Sequence, residues 1–311
     1  MLTVGIDIGG TKIAGGVVDA GGSILEKLRV DTPADPDALT DAVAAMVRHF
    51  GEHHDIAAVG VAAAGFIDRD RAVILHAPNI DWHDTPLRDQ LQDRLSMPIT
   101  LENDANAAGW AEFRFGAGRR THDMVMLTVG TGVGGAIVTG GKLFRGGNGI
   151  AGELGHVRHV RDGLLCGCGQ RGCIEMYASG RALQREANEI ADAGGIGARL
   201  AQVREEKGEI PGTAVSRLVL EDDPGAIEAI TRVASALGEA CASFTAVLDP
   251  ELFVIGGGVA QLGDALLDPM RAAYEATLPG AGERPSASFA IAQLVNDAGL
   301  IGVADLAAQT D

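Results

Sequence analysis

Three cysteines and a histidine are the residues with the clearest potential for chemistry in this sequence. His156 precedes the segment CGCGQRGC, in which Cys166, Cys168 and Cys173 fall within eight residues. Three thiolates and an imidazole suit tetrahedral Zn²⁺, and a site with four protein ligands has no vacant position for water. The alternative is a loop with three reduced thiols, but the spacing and the intervening glycines favour a structural zinc site.

Two carboxylates flank this cluster in the sequence. Glu153 lies three residues before His156, and Glu175 lies two residues after Cys173. Isolated carboxylates are usually solvated surface groups, but a zinc ion that fixes both sides of a loop would hold these two rigidly. The sequence therefore predicts an ordered loop that carries two carboxylates.

A glycine turn near the start of the chain has features of a phosphate-binding loop. In DIGGTK, Gly9 and Gly10 follow a predicted strand, and without Cβ atoms their backbone N–H groups can approach a phosphate. Thr11 and Lys12 add a hydroxyl and a positive charge, and Asp7 could hold Mg²⁺ through water. Taken alone, the segment fits an ordinary hairpin turn equally well.

Two further glycine segments follow predicted strands. GTGVGG at 130–135 contains Thr131 and Gly132 in a strand context that matches the first turn, and this repetition favours the phosphate interpretation. GGG at 256–258 follows the strand ELFVI, at the carboxyl end where open α/β sheets bind ligands. That position suits the adenosine of a nucleotide, although a simple turn between a strand and a helix fits as well.

The segment ENDANAA at 102–108 places Asn103 and Asp104 between a short strand and an alanine-rich helix. An aspartate in this position commonly caps the helix by accepting backbone N–H bonds. The functional alternative is a carboxylate that takes the proton of a hydroxyl as it attacks a phosphoryl group. The segment alone does not decide between the two.

The elements that would position these residues repeat along the chain. MVMLTVGTGVGGAIV at 124–138 has the same strand, glycine turn and strand as VGIDIGGTKIAGGVV at 4–18. We therefore expect an α/β protein with two related halves around a central cleft, each opening with a glycine-turned hairpin. The predicted small domain spans 1–108, completed by a helix at about 300–311, and the large domain spans 109–299. The segment 181–222 is predicted to be mostly helical and offers no chemical motif.

Composition excludes some functions. With 25 basic and 42 acidic side chains the net charge is −17, which argues against a nucleic-acid partner. The start of the sequence has no leader pattern, and no apolar stretch is long enough to span a bilayer, so we expect a cytoplasmic protein without a membrane partner. The lone fourth cysteine, Cys241, gives no reason to expect disulfides.

The combination of DIGGTK, APN, ENDANAA, GTGVGG, GELGH and CxCGxxGCxE resembles the ROK family of bacterial sugar kinases and repressors, essentially from end to end. Among its members, the chain is most similar to those that phosphorylate glucose with ATP. The resemblance implies an actin-like ATPase fold, with duplicated ribonuclease-H-like halves. It also implies a homodimer or homotetramer.

The resemblance implies a role for each motif. Asp104 would be the catalytic base, and ATP and a hexose would be the ligands. Mg²⁺ would accompany ATP and be held at Asp7. His156 would be both a zinc ligand and a sugar contact. The implied sugar contacts are Gly65, Asn79, Asn103, Asp104, Glu153, His156 and Glu175. The implied nucleotide contacts are Gly9, Gly10, Thr11, Lys12, Thr131, Gly132, Gly256, Gly257 and Gly258.

The expected reaction is transfer of the ATP γ-phosphoryl group to the 6-hydroxyl of glucose or a related hexose. The alternatives are a kinase for N-acetylmannosamine, mannose or fructose, and, less favoured, a sugar-responsive repressor or sensor. Polyphosphate stays open as a second donor, although the acidic charge disfavours it. A repressor of this family would carry a helix-turn-helix domain before the first strand, whereas here the first predicted strand begins at Leu2 or Thr3.

Overall fold

The computed structural model describes residues 1–77, 80 and 82–309. Its strands are β1 Leu2–Ile8, β2 Lys12–Val18, β3 Ile24–Asp31, β4 Ile56–Ala63, β5 Phe66–Ile67, β6 Ile74–Ala77, β7 Trp82–Thr85, β8 Ile99–Asn103, β9 Met124–Val129, β10 Val133–Thr139, β11 Lys142–Leu143, β12 Leu252–Gly256 and β13 Ser288–Ile291. Its α-helices are α1 Pro36–Gly51, α2 Leu87–Leu95, α3 Asp104–Phe115, α4 Glu175–Ala178, α5 Gly180–Ala193, α6 Ala198–Lys207, α7 Gly212–Leu220, α8 Pro224–Leu248, α9 Asp264–Thr277 and α10 Ala298–Ala308.

Two five-stranded sheets repeat the same strand order. The first runs β3-β2-β1-β4-β8, and the second runs β11-β10-β9-β12-β13. In the first sheet β1 pairs antiparallel with β2 and parallel with β4, which in turn pairs parallel with β8. In the second sheet β9 pairs parallel with β12, and β12 pairs parallel with β13. The internal repetition predicted from the two glycine hairpins is therefore present in the topology.

The first sheet is covered on both faces. Successive residues of a strand point to opposite faces, and Val4, Ile6 and Ile8 of β1 join the core that α1 and α2 close. Gly5 lies between them in the strand and faces the backbone of α10 at close range. A Cβ on Gly5 would lie 2.0 Å from the carbonyl oxygen of Leu300, so α10 lies directly against the strand.

Helix α3, which begins with Asp104, packs against α10 and is bonded to the segment just before α10. A Cβ on Gly302 of α10 would lie 1.8 Å from the carbonyl oxygen of Ala107, so only glycine allows this approach. At the other end the fully buried Glu112 accepts a hydrogen bond from the Leu294 N–H at 2.6 Å, and one from the Ala117 N–H at 2.9 Å. The position of Asp104 therefore depends on the last helix of the chain.

The chain divides into two compact units. The first comprises Met1–His122, Ala136–Gly152 and Gln293–Asp311, and the second comprises Asp123–Gly135 and Glu153–Ala292. Helix α3 belongs to the first unit because it packs along α10. The predicted domain boundaries, 1–108 with about 300–311 and 109–299, stay a prediction.

The small sheet β5-β6-β7 was not predicted, because none of its strands has more than four residues, too few for a clear alternating pattern. The segment 181–222 is largely helical as predicted, since it contains α5, α6 and α7. Among the described residues, no helix combines the length and the apolar character that crossing a membrane requires.

Candidate active site and metal centre

The turn from β8 into α3 presents Asn103 and Asp104. Asn103 caps the helix, because its side-chain oxygen accepts a hydrogen bond from the Asn106 N–H at 3.1 Å. Its side-chain nitrogen donates to the carbonyl oxygen of Gly65 at 3.1 Å. The cap role considered for Asp104 therefore belongs to its neighbour, and Asp104 is the first residue of the helix.

The surroundings of Asp104 shift its carboxyl group in the direction that favours a proton acceptor. Burial raises the pKa of its carboxyl group, although the N–H groups of Ala105 and of Asp104 itself counteract part of this effect. The Ala105 N–H donates to Oδ1 at 2.9 Å. A carboxylate with a raised pKa accepts a proton more readily than an ordinary aspartate, as general base catalysis requires.

Gly65 lies beside this turn in a conformation that only glycine adopts readily. Its φ is +134°, and a Cβ would lie 2.3 Å from the carbonyl oxygen of His76. Asn79 lies outside the described residues. The structure of the first unit therefore places Gly65, Asn103 and Asp104 together and leaves Asn79 as a prediction.

The first glycine turn joins β1 to β2 and is exposed. The Gly9 N–H donates to the Lys12 carbonyl at 3.0 Å, and the Thr32 hydroxyl donates to the Gly9 carbonyl at 2.7 Å. Gly10, Thr11 and Lys12 are open to solvent. The turn is therefore shaped by its own hydrogen bonds, and its tip is open to a ligand.

Asp7 lies on β1 just before this turn. Its pKa is raised to about 6, chiefly by burial and further by the negative charges of Asp104 and Asp297, while Lys27 lowers it. Three carboxylates of the first unit therefore repel one another, and a divalent cation would offset that repulsion. Asp7 offers the hard oxygen ligand that Mg²⁺ prefers.

The second glycine turn joins β9 to β10 and holds Glu175. The Val133 N–H donates to Glu175 Oε2 at 3.1 Å, and a Cβ on Gly132 would lie 2.2 Å from the same oxygen. The Gly130 carbonyl accepts the Gly180 N–H at 2.7 Å. A glycine is therefore needed at position 132 because the Glu175 carboxylate lies so close. The sequence did not indicate this requirement.

A cavity of about 810 Å³ opens beside this turn, within the second unit. Thr131 and Gly258 line it, as expected for two of the predicted nucleotide segments. Gly257 has φ +86°, and a Cβ there would lie 2.4 Å from the Val129 carbonyl oxygen. The volume is in the range of small-molecule sites.

Helices α5 and α7 supply the rest of the cavity wall, which sequence reasoning missed. Arg181 and Gln184 come from α5, and Ser216 and Leu220 come from α7. These residues lie in the segment 181–222, which offers no motif. They line the same cavity only because the two helices pack together.

The four predicted zinc ligands lie together in the second unit. The donor atoms of His156, Cys166, Cys168 and Cys173 all lie within 4.8 Å of one another. His156 Nδ1 is 3.7 Å from Cys166 Sγ, and Cys168 Sγ is 3.6 Å from Cys173 Sγ. Tetrahedral bonds of the usual Zn–S and Zn–N lengths imply ligand separations of about 3.5–3.8 Å, so the donor set fits zinc.

Local hydrogen bonds also shape the loop that carries the cysteines. The Cys166 N–H donates to the Gln170 carbonyl at 2.8 Å, and the N–H groups of His159 and Val160 donate to the Gly172 carbonyl at 2.7 and 3.0 Å. Gly172 has φ +79°, and a Cβ there would lie 1.7 Å from the Val160 carbonyl oxygen. The loop is therefore preformed around its cysteines.

The metal set is connected to the two predicted sugar-binding carboxylates. Cys166 Sγ lies 3.7 Å from Glu175 Oε1, and His156 Nε2 lies 3.9 Å from Glu153 Oε2. Burial, aided by the neighbouring thiols of Cys168 and Cys166, raises the pKa of Cys173 to about 12. A zinc ion reverses such a shift, because it binds thiolates.

Comparison with known proteins assigns the chain to a family. The ROK family profile matches residues 3–310, so the chain belongs to the ROK family. The glucokinase of Streptomyces coelicolor is 46% identical over 315 residues, which cover 100% of this chain and 98% of that protein. An N-acetylmannosamine kinase of Escherichia fergusonii is 36% identical, covering 99% of this chain and 98% of that protein.

A crystal structure of a ROK family glucokinase from Streptomyces griseus, in complex with glucose and AMPPNP, matches with a TM-score of 0.88. The two sequences are 46% identical, and the match covers 100% of both chains. The predicted membership of the ROK family and the predicted actin-like ATPase fold are thereby confirmed.

Proposed function

We propose that this chain is an ATP-dependent glucokinase that phosphorylates the 6-hydroxyl of glucose with Asp104 as the catalytic base. The observation that carries the proposal is the half-buried Asp104 at the start of α3, directly after the Asn103 cap that bonds Gly65, where desolvation raises the pKa of its carboxyl group. Identity of 46% over the whole chain to a glucokinase supports the substrate assignment.

Asp104 accepts the proton of the 6-hydroxyl as its oxygen attacks the γ-phosphorus of ATP. The bond between O6 and phosphorus forms, the bond from phosphorus to the bridging oxygen breaks, and ADP leaves. Asp104 then releases the proton to solvent. Asn103 holds the turn in place by capping α3 and bonding Gly65. Gly65, Asn79 and Asn103 are proposed to contact the sugar beside Asp104.

Asp7 is the residue proposed to hold Mg²⁺ through water. When bound with ATP, this ion neutralises negative charge on the phosphates. The residues proposed to supply N–H groups and a charge for the phosphates are Gly9 to Lys12, Thr131 and Gly132. The cavity lined by Gly258 takes the adenosine.

The zinc ion is proposed to be structural. Four protein ligands leave no position for a reactant, so the ion would order the loop that carries the hydroxyl-binding residues. His156 would bind zinc through Nδ1, which faces Cys166, and a sugar hydroxyl through Nε2. Glu153 and Glu175 complete the sugar contacts of the second unit. The homodimer or homotetramer and the cytoplasmic location stay predictions.

A coupled assay of ADP formation across four sugars tests the function. We expect kcat/KM with glucose to exceed that with mannose, N-acetylmannosamine and fructose, and 6-deoxyglucose to inhibit without turnover because it lacks the accepting hydroxyl. A preference for another hexose would reassign the substrate within the family. No turnover with any of them would contradict the kinase proposal, and replacing ATP with polyphosphate tests the alternative donor.

A further inference from the structure

A buried carboxylate lies directly before the Asn103–Asp104 turn. Glu102 is only 2% exposed, and its Oε1 accepts two hydrogen bonds, from the Asn103 N–H and from the Asn106 side-chain amide, both at 3.1 Å. Glu102 therefore contacts residues on both sides of Asp104. It takes no part in the proposed proton transfer.

Arg145 balances the charge of Glu102. Its Nε donates to Glu102 Oε2 at 2.7 Å, across 43 positions of sequence. The Arg145 carbonyl accepts the Ala151 N–H at 3.0 Å and closes a short loop. Gly146 in this loop has φ +72°, and a Cβ there would lie 2.9 Å from that of Ala151. A loop of the same unit, with a conformation fixed by these contacts, therefore places the Arg145 guanidinium against Glu102.

This network is not arranged for stability alone. Arg145 Nη2 and Asn106 Oδ1 are buried and have no hydrogen-bond partner among the described residues. Buried polar atoms without partners destabilise a fold, and buried ion pairs are often no more stabilising than apolar residues of similar volume. What the network does provide is a fixed geometry around the turn.

We propose that Arg145 is a positioning residue for catalysis: by holding Glu102, it fixes the Asn103–Asn106 turn and with it the direction of the Asp104 carboxylate. The inference rests on the proposed role of Asp104 as the base. Misplacing a reacting group by about 1 Å can lower a rate by about 100-fold, so loss of this support should be visible in kcat.

The test compares Arg145→Gln and Arg145→Lys with Arg94→Gln as a matched control. Arg94 also pairs with a carboxylate of its own unit, Asp41, at 2.8 Å, but that carboxylate is largely exposed. For Arg145→Gln we expect kcat per glucose-binding site to fall about 30-fold to 100-fold with the KM for ATP within about 2-fold. Arg145→Lys should recover part of this loss, because it keeps the charge without the planar fork.

Glucose titration by calorimetry counts the binding-competent sites, so misfolded protein does not enter kcat. If kcat per site of Arg145→Gln stays within about 3-fold of wild type, the inference is wrong, whatever the change in Tm. If that variant does not fold, Arg145→Lys and the double variant Glu102→Gln with Arg145→Gln, which leaves no buried charge, decide by the same criterion.

Asp104→Asn, measured in parallel, separates this inference from the proposed function. An active Asp104→Asn would remove the proposed base itself. An inactive Asp104→Asn together with a normal Arg145→Gln would remove only the positioning role of Arg145. Unchanged activity of Arg94→Gln would show that a fall in kcat does not follow simply from losing an arginine–carboxylate pair in this unit.

Discussion

Burial raises the pKa of both Asp104 and Asp7, but we propose different chemistry for the two carboxylates. For Asp104 a raised pKa is useful, because a proton acceptor works best when its pKa approaches the pH at which it acts. For Asp7 it reflects burial first and then repulsion by Asp104 and Asp297, which a cation would offset. The two groups therefore respond differently to neutral substitutions.

Replacing Asp104 with asparagine should abolish turnover and keep sugar binding. The amide preserves the shape of the side chain and cannot accept the proton, so we expect kcat to fall by about 10²-fold to 10⁴-fold. Glucose affinity, measured by calorimetry, should change little. A variant that keeps more than about a hundredth of the wild-type kcat would contradict the assignment of the base.

Replacing Asp7 with asparagine should stabilise the ligand-free protein while weakening its use of MgATP. The native pKa of about 6 lies above the ordinary value for aspartate, so the native state binds more protons between about pH 4 and 6. As pH rises through that range, ionisation of Asp7 therefore lowers the free energy of unfolding. Above about pH 6 this destabilisation is present in full.

Asp7→Asn should raise the free energy of unfolding at pH 7 by about 1–3 kcal/mol and leave it unchanged at pH below about 4. Urea unfolding of both proteins at the two pH values, without nucleotide or Mg²⁺, measures this difference. A less stable Asp7→Asn at pH 7 would show that Asp7 is favourably paired in the native state.

At the scale of elements, the second glycine turn and the zinc loop meet at Glu175. One oxygen of Glu175 accepts the Val133 N–H, and the other lies 3.7 Å from Cys166 Sγ. The turn proposed to bind phosphate and the loop proposed to bind sugar therefore share a carboxylate within the second unit. Changes to either element should affect both ligands.

Gly132→Ala tests this link. Its Cβ would lie 2.2 Å from Glu175 Oε2, so Glu175 must move, and we expect the KM for glucose and the KM for ATP both to rise. Gly130→Ala is the matched control, because a Cβ at Gly130 meets nothing within 4 Å. An increase confined to the KM for ATP would mean that Glu175 is not displaced or does not bind sugar.

Cys168→Ala should lower Tm and raise the KM for glucose by about 10-fold, since the loop loses one of four ligands. Metal analysis should find about one zinc ion per wild-type chain and much less in the variant. Cys241→Ala, which removes a buried thiol outside the set, should keep its zinc. Fully active wild-type protein without zinc would contradict the structural role of the metal.

Sequence alone was sufficient where the signal is local. The zinc ligands fall between 156 and 173, and each glycine turn stands between two strands with apolar patterns. The pair Arg145–Glu102 could not be predicted, because 43 positions separate its members and Arg145 stands in no recognisable pattern. The same holds for Arg181 and Ser216, which line one cavity only because α5 and α7 pack together.

At the scale of the whole molecule, the net charge of −17 should make stability depend on salt. Raising NaCl from about 10 to 150 mM shortens the screening length from about 30 to 8 Å and weakens self-repulsion. We expect Tm to rise by about 1–2 °C, the shift for about 1 kcal/mol in a chain of this size. Near pH 4.8, the pI of the sequence, the increase should disappear, and a decrease at neutral pH would indicate that attractive ion pairs dominate.

The packing of α10 against β1 and α3 has a consequence for biosynthesis. The first unit takes its opening strands from the start of the chain and its closing helix from residues 298–308, so during translation those strands emerge long before the helix that covers them. Until then, the face of the sheet that α10 covers stays open in the nascent chain. Ribosome-bound chains that stop before Gln293 should therefore stay protease-sensitive in the first unit and be clients of chaperones that recognise exposed apolar strands.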